Sequence, residues 1–186
     1  MLPAMMASLL TLSLFAPLGV DPGPTKIDRI VAVVNDTIVT EAELRIEAQL
    51  LEFDPIEPPP LRAPQPDILR LLEDRRVLEQ LAASRPLYVP SESEVVARRQ
   101  QLIANLGERS TMFMETWGFT EESLDRFLER RMTAERYLTR NLGRSLRAEI
   151  AVDSPEWELT YRQKYVGWIA ERRDQLSIRR VGTRSQ

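Results

Sequence analysis

The sequence has no histidine and no cysteine among its 186 residues. The first absence excludes a Ser-His-Asp triad, an imidazole general base and any histidine-held metal. The second excludes thiol nucleophiles, zinc knuckles and disulfides. Glycine is scarce at seven residues, and none of them falls in a P-loop or a G-x-G-x-x-G, which argues against a nucleotide site. Lysine is nearly missing as well: 23 of the 25 basic residues are arginine, leaving Lys26 and Lys164. The net charge of −3 argues against a dedicated nucleic-acid binder. The expectation is a protein that is not an enzyme, with no catalytic residues, no cofactor and no metal.

Hydrophobic residues make up 43% of the chain and charged residues 28%, an ordinary globular balance. A chain of this size can bury a real core, since a domain of about 150 residues hides roughly 70% of its unfolded surface. The N-terminal stretch "MLPAMMASLLTLSLFAPLGVDPGPT" resembles a secretory signal peptide, apolar from Ala4 to Leu18. Such a run reaches only about 24 Å against a bilayer core of about 30 Å. It departs from the usual pattern in having no basic residue ahead of the apolar run and no clean A-x-A cleavage site. Residues 1–24 are therefore expected to be a signal-like segment and spacer, and 25–186 a single domain. Export to the periplasm follows, with an uncleaved inner-membrane anchor or a misassigned start codon as alternatives.

Along the mature chain, "RIVAVVND" followed by "TIVT" suits a hairpin turning at Asn35-Asp36, where φ > 0 is needed. Thr40-Glu41-Ala42-Glu43 reads as a capping box opening a helix to about Phe53. "DPIEPPPLRAPQP" carries too many prolines for helix and is expected to be a stiff, extended connector, with Pro66 in the first turn of a second helix. In that helix Ile68, Leu71, Leu72, Leu78, Leu81 and Ala82 share one face. Ser91 to Glu94 forms a second capping box, with Gly107 ending its helix. "STMFMETWGF" reads as a short helix stopped by Gly118. Thr120 then caps a long helix carrying Leu124, Phe127, Leu128, Leu138, Leu142 and Leu146, with Gly143 a weak point. "IAVDSPEWELTYRQKY" suggests a brief extended piece, Asp153 as a cap and Pro155 in the first turn of the last helix. The stretch from Gln175 to Val181 alternates like a strand, and "LSIRRV" is expected to pair with "RIVAVV". The fold class is thus mostly α, a helical domain with a small antiparallel sheet formed by the N-terminal hairpin and a C-terminal strand.

Three segments carry a family resemblance. "IDRIVAVVNDTIVTEAEL" resembles the opening of the SurA family of periplasmic chaperones. "WGFTEESLDRFLERRM" resembles the entry into that family's long helix, and "AEIAVDSPEWELTYRQKY" the stretch by which it leaves its N-terminal domain. The similarity covers roughly Lys26 to Tyr165. It implies the family's N-terminal chaperone core, which binds unfolded outer-membrane proteins without ATP. In the family, parvulin-type prolyl-isomerase domains follow the exit segment, whereas about twenty residues remain here after Tyr165. Those residues match instead the family's last helix and returning strand. The resemblance therefore implies the core without isomerase domains, and a peptidyl-prolyl isomerase label would be inherited by name alone.

A holdase needs adaptable apolar side chains. Met112, Phe113, Met114, Trp117 and Phe119 supply them within eight residues and are the candidate client-binding residues. The same cluster suits core packing, and both readings stay open at this level. Trp157, Tyr161, Tyr165 and Trp168 are expected to bury against the hairpin rather than to meet a client. The acidic pair Glu121-Glu122 suits a helix's first turn better than a hydrolytic site. The pairs Arg130-Arg131, Arg172-Arg173 and Arg179-Arg180 read as a solvated face. The expected partners are unfolded or outer-membrane polypeptides, with no nucleic acid. A subunit dedicated to one folded partner is the alternative function.

Overall fold

Strand β1 (Ile30–Val34) turns into β2 (Thr37–Thr40) through Asn35 and Asp36. Asn35 takes up a φ of 53°, which asparagine tolerates better than most residues. Its side chain then ties the turn down on two sides. The amide nitrogen Nδ2 donates to Oε1 of Gln80 at 2.7 Å, and Oδ1 accepts the backbone N–H of Ser177 at 2.8 Å. Strand β3 (Ile178–Arg180) lies on the other edge of β1, giving an antiparallel sheet in the order β2-β1-β3. Val34 faces Ile178 and Ala32 faces Arg180, so the C-terminal strand closes on the hairpin as its alternation predicts. A register shift between Ile30 and Ala32 marks a bulge in β1. Beyond it Ala32, Val34 and Val39 are fully buried.

The computed structural model of the protein describes residues 28–54, 58–61 and 67–182; the signal-like segment 1–24 and Pro66 lie outside the described residues. Helix α1 (Glu41–Phe53) starts at the expected capping box: Thr40 Oγ1 accepts the Glu43 N–H at 3.3 Å, and the Glu43 carboxylate accepts the Thr40 N–H at 3.1 Å. Asp67 caps α2 (Ile68–Ala82) by accepting the Arg70 N–H at 2.9 Å. The Glu94 carboxylate accepts the Ser91 N–H at the start of α3 (Glu92–Leu106). Gly107 ends α3 at φ 55°, and Gly118 ends α4 (Ser110–Trp117) in the left-handed region at φ 64°. Thr120 caps α5 (Glu121–Leu138), which continues through a π-turn at 139–143 into α6 (Arg144–Arg147). Gly143, in that π-turn, lies against Tyr161 of α7 (Trp157–Arg173): a Cβ there would stand 3.1 Å from the tyrosine Oη. Helix α7 runs unbroken through Tyr165. Among the described residues no helix is long and apolar enough to cross a membrane.

Three local expectations need correction. Within the proline-rich stretch, Pro59–Leu61 forms a buried 3-10 turn rather than extended chain, because Leu61 inserts into the main apolar cluster beneath α7. Residues 151–156 are turns rather than an extended piece. Asp153 does not cap α7, whose N-cap is Glu156, with Ser154 Oγ accepting the Glu156 N–H at 3.2 Å. The aromatic row Trp157, Tyr161 and Tyr165 is buried as expected, with Trp168 half-buried. It packs mainly on α2, the 3-10 turn and the π-turn rather than on the hairpin.

Helix α2 lies at the centre, packed on α5, α7, α1 and the sheet. One apolar cluster gathers Val34, Leu61, Val77, Leu78, Tyr137, Leu138 and the α7 aromatics. A second gathers Ile46, Leu50, Phe53 of α1, Leu102 and Leu106 of α3, Phe113 of α4, and Leu124 and Leu128 of α5. Along α5 the two are separated by Arg131, which is buried. This is a further departure from the sequence reading: the arginine pairs are split rather than solvated. Arg131 goes inside, Arg173 is largely covered, and Arg180, on the surface, hydrogen-bonds to the buried Glu73.

A chain of charges crosses this interior. Arg75 of α2 forms two bonds to Glu47 of α1, at 2.5 and 2.8 Å. Arg131 lies 3.5 Å from Glu47 and 2.9 Å from Asp54, at the end of α1. Arg98 of α3 reaches Asp54 at 2.6 Å and Glu135 of α5 at 3.5 Å. Burial alone would push the Glu47 carboxyl up, but Arg75 and Arg131 overcome that and hold it at about 2. Glu135 behaves in the opposite way. Burial raises it from 4.5 to about 7, the cations Arg98, Arg131 and Arg75 only partly offset this, and the nearby Asp54 adds to it. The long contact to Arg98 explains the difference, since Oε1 of Glu135 completes no hydrogen bond among the described residues.

The sign of the resulting pH dependence follows from Glu135 having a folded value above its unfolded one. Its ionisation costs the folded state nothing below pH 4.5, and the penalty grows as pH rises to about 7. Glu47 acts only below its unfolded value, where stability is lost as pH falls from 4.5 toward about 2. With no histidine in the chain, the near-neutral window is set mainly by Glu135, and Asp74, also raised by burial, acts in the same direction. Urea unfolding at a series of pH values is expected to show stability falling from pH 4.5 to 7, with Glu135→Gln flattening that fall and gaining on the order of 2 kcal/mol at pH 8. An unchanged slope in the variant would contradict this assignment.

Candidate functional site

The candidate residues at 112–119 are placed by α4 and the residues that follow it. Phe113, at 3% exposure, points into the second apolar cluster and stacks on Phe119 at 5.8 Å between ring centroids. Phe119 meets Phe127 edge-on. Met114, Trp117 and Phe119 are half-buried against the same cluster, and Trp117 Nε1 donates to Gln49 Oε1 on α1 at 2.8 Å. Met112 stands out from the group at 62% exposure. The structure therefore brings Phe113, Met114, Trp117 and Phe119 together as packing between α4, α1 and α5, and leaves Met112 as the residue of the five open to a ligand.

The most exposed large apolar side chain among the described residues, Val166, lies elsewhere. On α7, Val166 is 67% exposed and Leu159 59%, seven residues apart and so on one stripe. They project away from the buried Trp157, Tyr161 and Tyr165. Arg162 lies between them, loosely paired with Glu158 at 3.8 Å. Beside this stripe runs an open groove of about 230 Å³ between α7 and α2, bordered by Pro60, Arg70, Val166 and Ile169. Its inner wall is held by Asp74 and Tyr165. The Tyr165 hydroxyl donates to Asp74 Oδ2 at 3.0 Å, Arg173 bonds the other oxygen, and Arg70 approaches it at 3.3 Å. Burial raises the Asp74 carboxyl despite these partners. Burial, with Asp74 next to it, pushes Tyr165 well up. Both groups are thus committed to holding the wall, and the groove offers shape and apolar surface rather than a reactive atom.

Sequence reasoning missed Leu159 and Val166 because the aromatic residues dominate this helix. The signal was present: two aliphatic residues seven apart, both off the aromatic face, leave an apolar stripe with no obvious partner. No protein-family model and no curated protein matches the sequence.

The two surfaces make opposite stability predictions. Phe113→Ala is expected to cost about 3–5 kcal/mol. Leu159→Ser with Val166→Ser is expected to stay within about 0.5 kcal/mol per site, as exposed positions do. Thermal or urea unfolding checks both, and a large loss in the α7 double variant would show that the stripe is covered.

Proposed function

We propose that the protein is an ATP-independent chaperone-like binder of unfolded polypeptides, acting in the periplasm on outer-membrane proteins, as its resemblance to the SurA family implies. The observation that carries this reading is the pairing of β3 with β1. It returns the last described strand to the N-terminal hairpin and closes one helical body over a small sheet, the closure expected of that family's core. The α7 surface supplies what a holdase needs. Leu159 and Val166 offer aliphatic surface to segments of varied sequence, and the groove beside them accepts a side chain without demanding a particular hydrogen-bond pattern. Contacts of this kind bind weakly and release quickly, which suits a client that must move on to fold. Met112 is a further exposed contact.

The test is light scattering of a urea-unfolded outer-membrane β-barrel protein diluted into buffer with and without the chain. Suppressed aggregation near equimolar ratio is expected, lost in the Leu159→Ser, Val166→Ser variant and retained in Met112→Ser. Unchanged scattering in the presence of folded protein would overturn the general-chaperone reading in favour of a subunit that holds one folded partner.

A further inference from the structure

A second and larger groove, of about 500 Å³, lies between the start of α3 and the first three turns of α5 and shares no lining residue with the groove beside α7. Buried Pro90 and Val95 form its apolar floor. Five carboxylates line it: Glu92, Glu121, Glu122, Asp125 and Glu129. Part of that charge has a local use. Glu121 and Asp125 both pair with Arg99, at 2.7 and 2.8 Å, and Glu122 lies 3.3 Å from Arg126. Glu92 and Glu129 pair with no arginine or lysine among the described residues. Setting Arg99 and Arg126 against the five acids leaves three negative charges in the groove, as many as the whole chain carries net.

These acids do not form a metal site, since no group of three or more carboxylates among the described residues converges closely enough to hold an ion. They are spread along an open, apolar-floored cleft whose volume falls in the range that takes a few residues of a bound ligand. The starts of two helices draw acids toward one another here, because Glu92, Glu121 and Glu122 each complement a helix N-terminus. The negative field concentrated in a cleft selects for positive charge in whatever enters it.

We propose that this groove docks a cationic polypeptide segment, an apolar side chain resting on Pro90 and Val95 with arginine or lysine on either side directed to Glu92, Glu122 and Glu129. Charge complementarity sets the partner's chemistry, and the apolar floor sets the need for an anchoring side chain. The site is independent of the α7 surface, so client binding there can fail without affecting this proposal.

The test uses the full chain and a fluorescently labelled short peptide of alternating arginine and leucine, read by anisotropy. A peptide with glutamate in place of arginine is the control. The cationic peptide is expected to bind and the acidic one not. Affinity should fall by about tenfold in Glu122→Gln, Glu129→Gln, as expected for the loss of two partly screened ion pairs, and again as salt is raised to about 0.5 M. The Leu159→Ser, Val166→Ser variant should bind the peptide as the parent does. Circular dichroism and melting confirm that each variant is folded, and both Gln substitutions lie on the helix surface. Absence of binding, equal binding of the two peptides, or binding indifferent to Glu122→Gln, Glu129→Gln would overturn the proposal. So would a dimer of the chain that this variant dissociates, since the occupant would then be a second copy.

Discussion

The carboxylate of Glu47 lies out of reach of water and stays charged because arginines from two other helices meet it. Arg75 comes from α2 and Arg131 from α5, and Arg131 continues to Asp54 at the end of α1. A buried ion pair is a weak source of net stability, since desolvation offsets most of the attraction. It is a strong constraint on position. Sliding any one of these helices by a turn would leave a buried charge without its partner, at a cost far above that of a displaced leucine. The network thus fixes the relative register of α1, α2 and α5, which apolar packing alone would specify less sharply.

The same helix that supplies Arg75 carries three more buried charges beside it, and between them they reach the last helix, the returning strand and the start of α1. Glu73 receives Arg173 of α7 and Arg180 of β3, both at 2.7 Å. Asp74 receives Tyr165 and Arg173. Arg76 reaches Glu43 at the start of α1 and Glu79 one turn along its own helix. Helix α2 is therefore the hub to which the hairpin, the last helix and the returning strand are all tied. The function proposed for α7 depends on this arrangement. With its aromatic face on α2 and Asp74 holding Tyr165, α7 has no freedom to turn Leu159 and Val166 inward.

Much of the backbone was legible in the sequence because local chemistry dictates it. Asn35 at a turn needing φ > 0, Thr40 with Glu43, Gly118 after a short helix and the alternation in "LSIRRV" each act within a few residues, and each forms the element expected of it. What was not legible depends on contacts between distant parts of the chain. "EDRR" on a helix reads as a wet face by composition alone. Yet Val77 lies off the face that Leu71, Leu72 and Leu78 share, and a helix with apolar residues on more than one side is covered on more than one side. That was the available sign that the charges between them lie inside. Pro59–Leu61 was misjudged for a related reason: proline content excludes an α-helix, but says nothing of whether Leu61 will find a core to enter. At the candidate site, spacing brought out the apolar cluster of α4 but could not tell its buried side from its open one. The exposed stripe of α7 became visible once the buried face of that helix was known.

The buried charges act as a coupled unit, and a double-mutant cycle on Glu47 and Arg75 tests this most directly. Glu47→Leu alone strands the buried Arg75, takes one of two acidic partners from Arg131, and is expected to cost about 3–5 kcal/mol in urea unfolding. Adding Arg75→Met removes one stranded charge and leaves Arg131 with Asp54, so the double variant should recover a large part of that loss, a coupling of about 2 kcal/mol or more. Additive losses, or a Glu47→Leu variant as stable as the parent, would mean that apolar packing alone holds α1, α2 and α5 together.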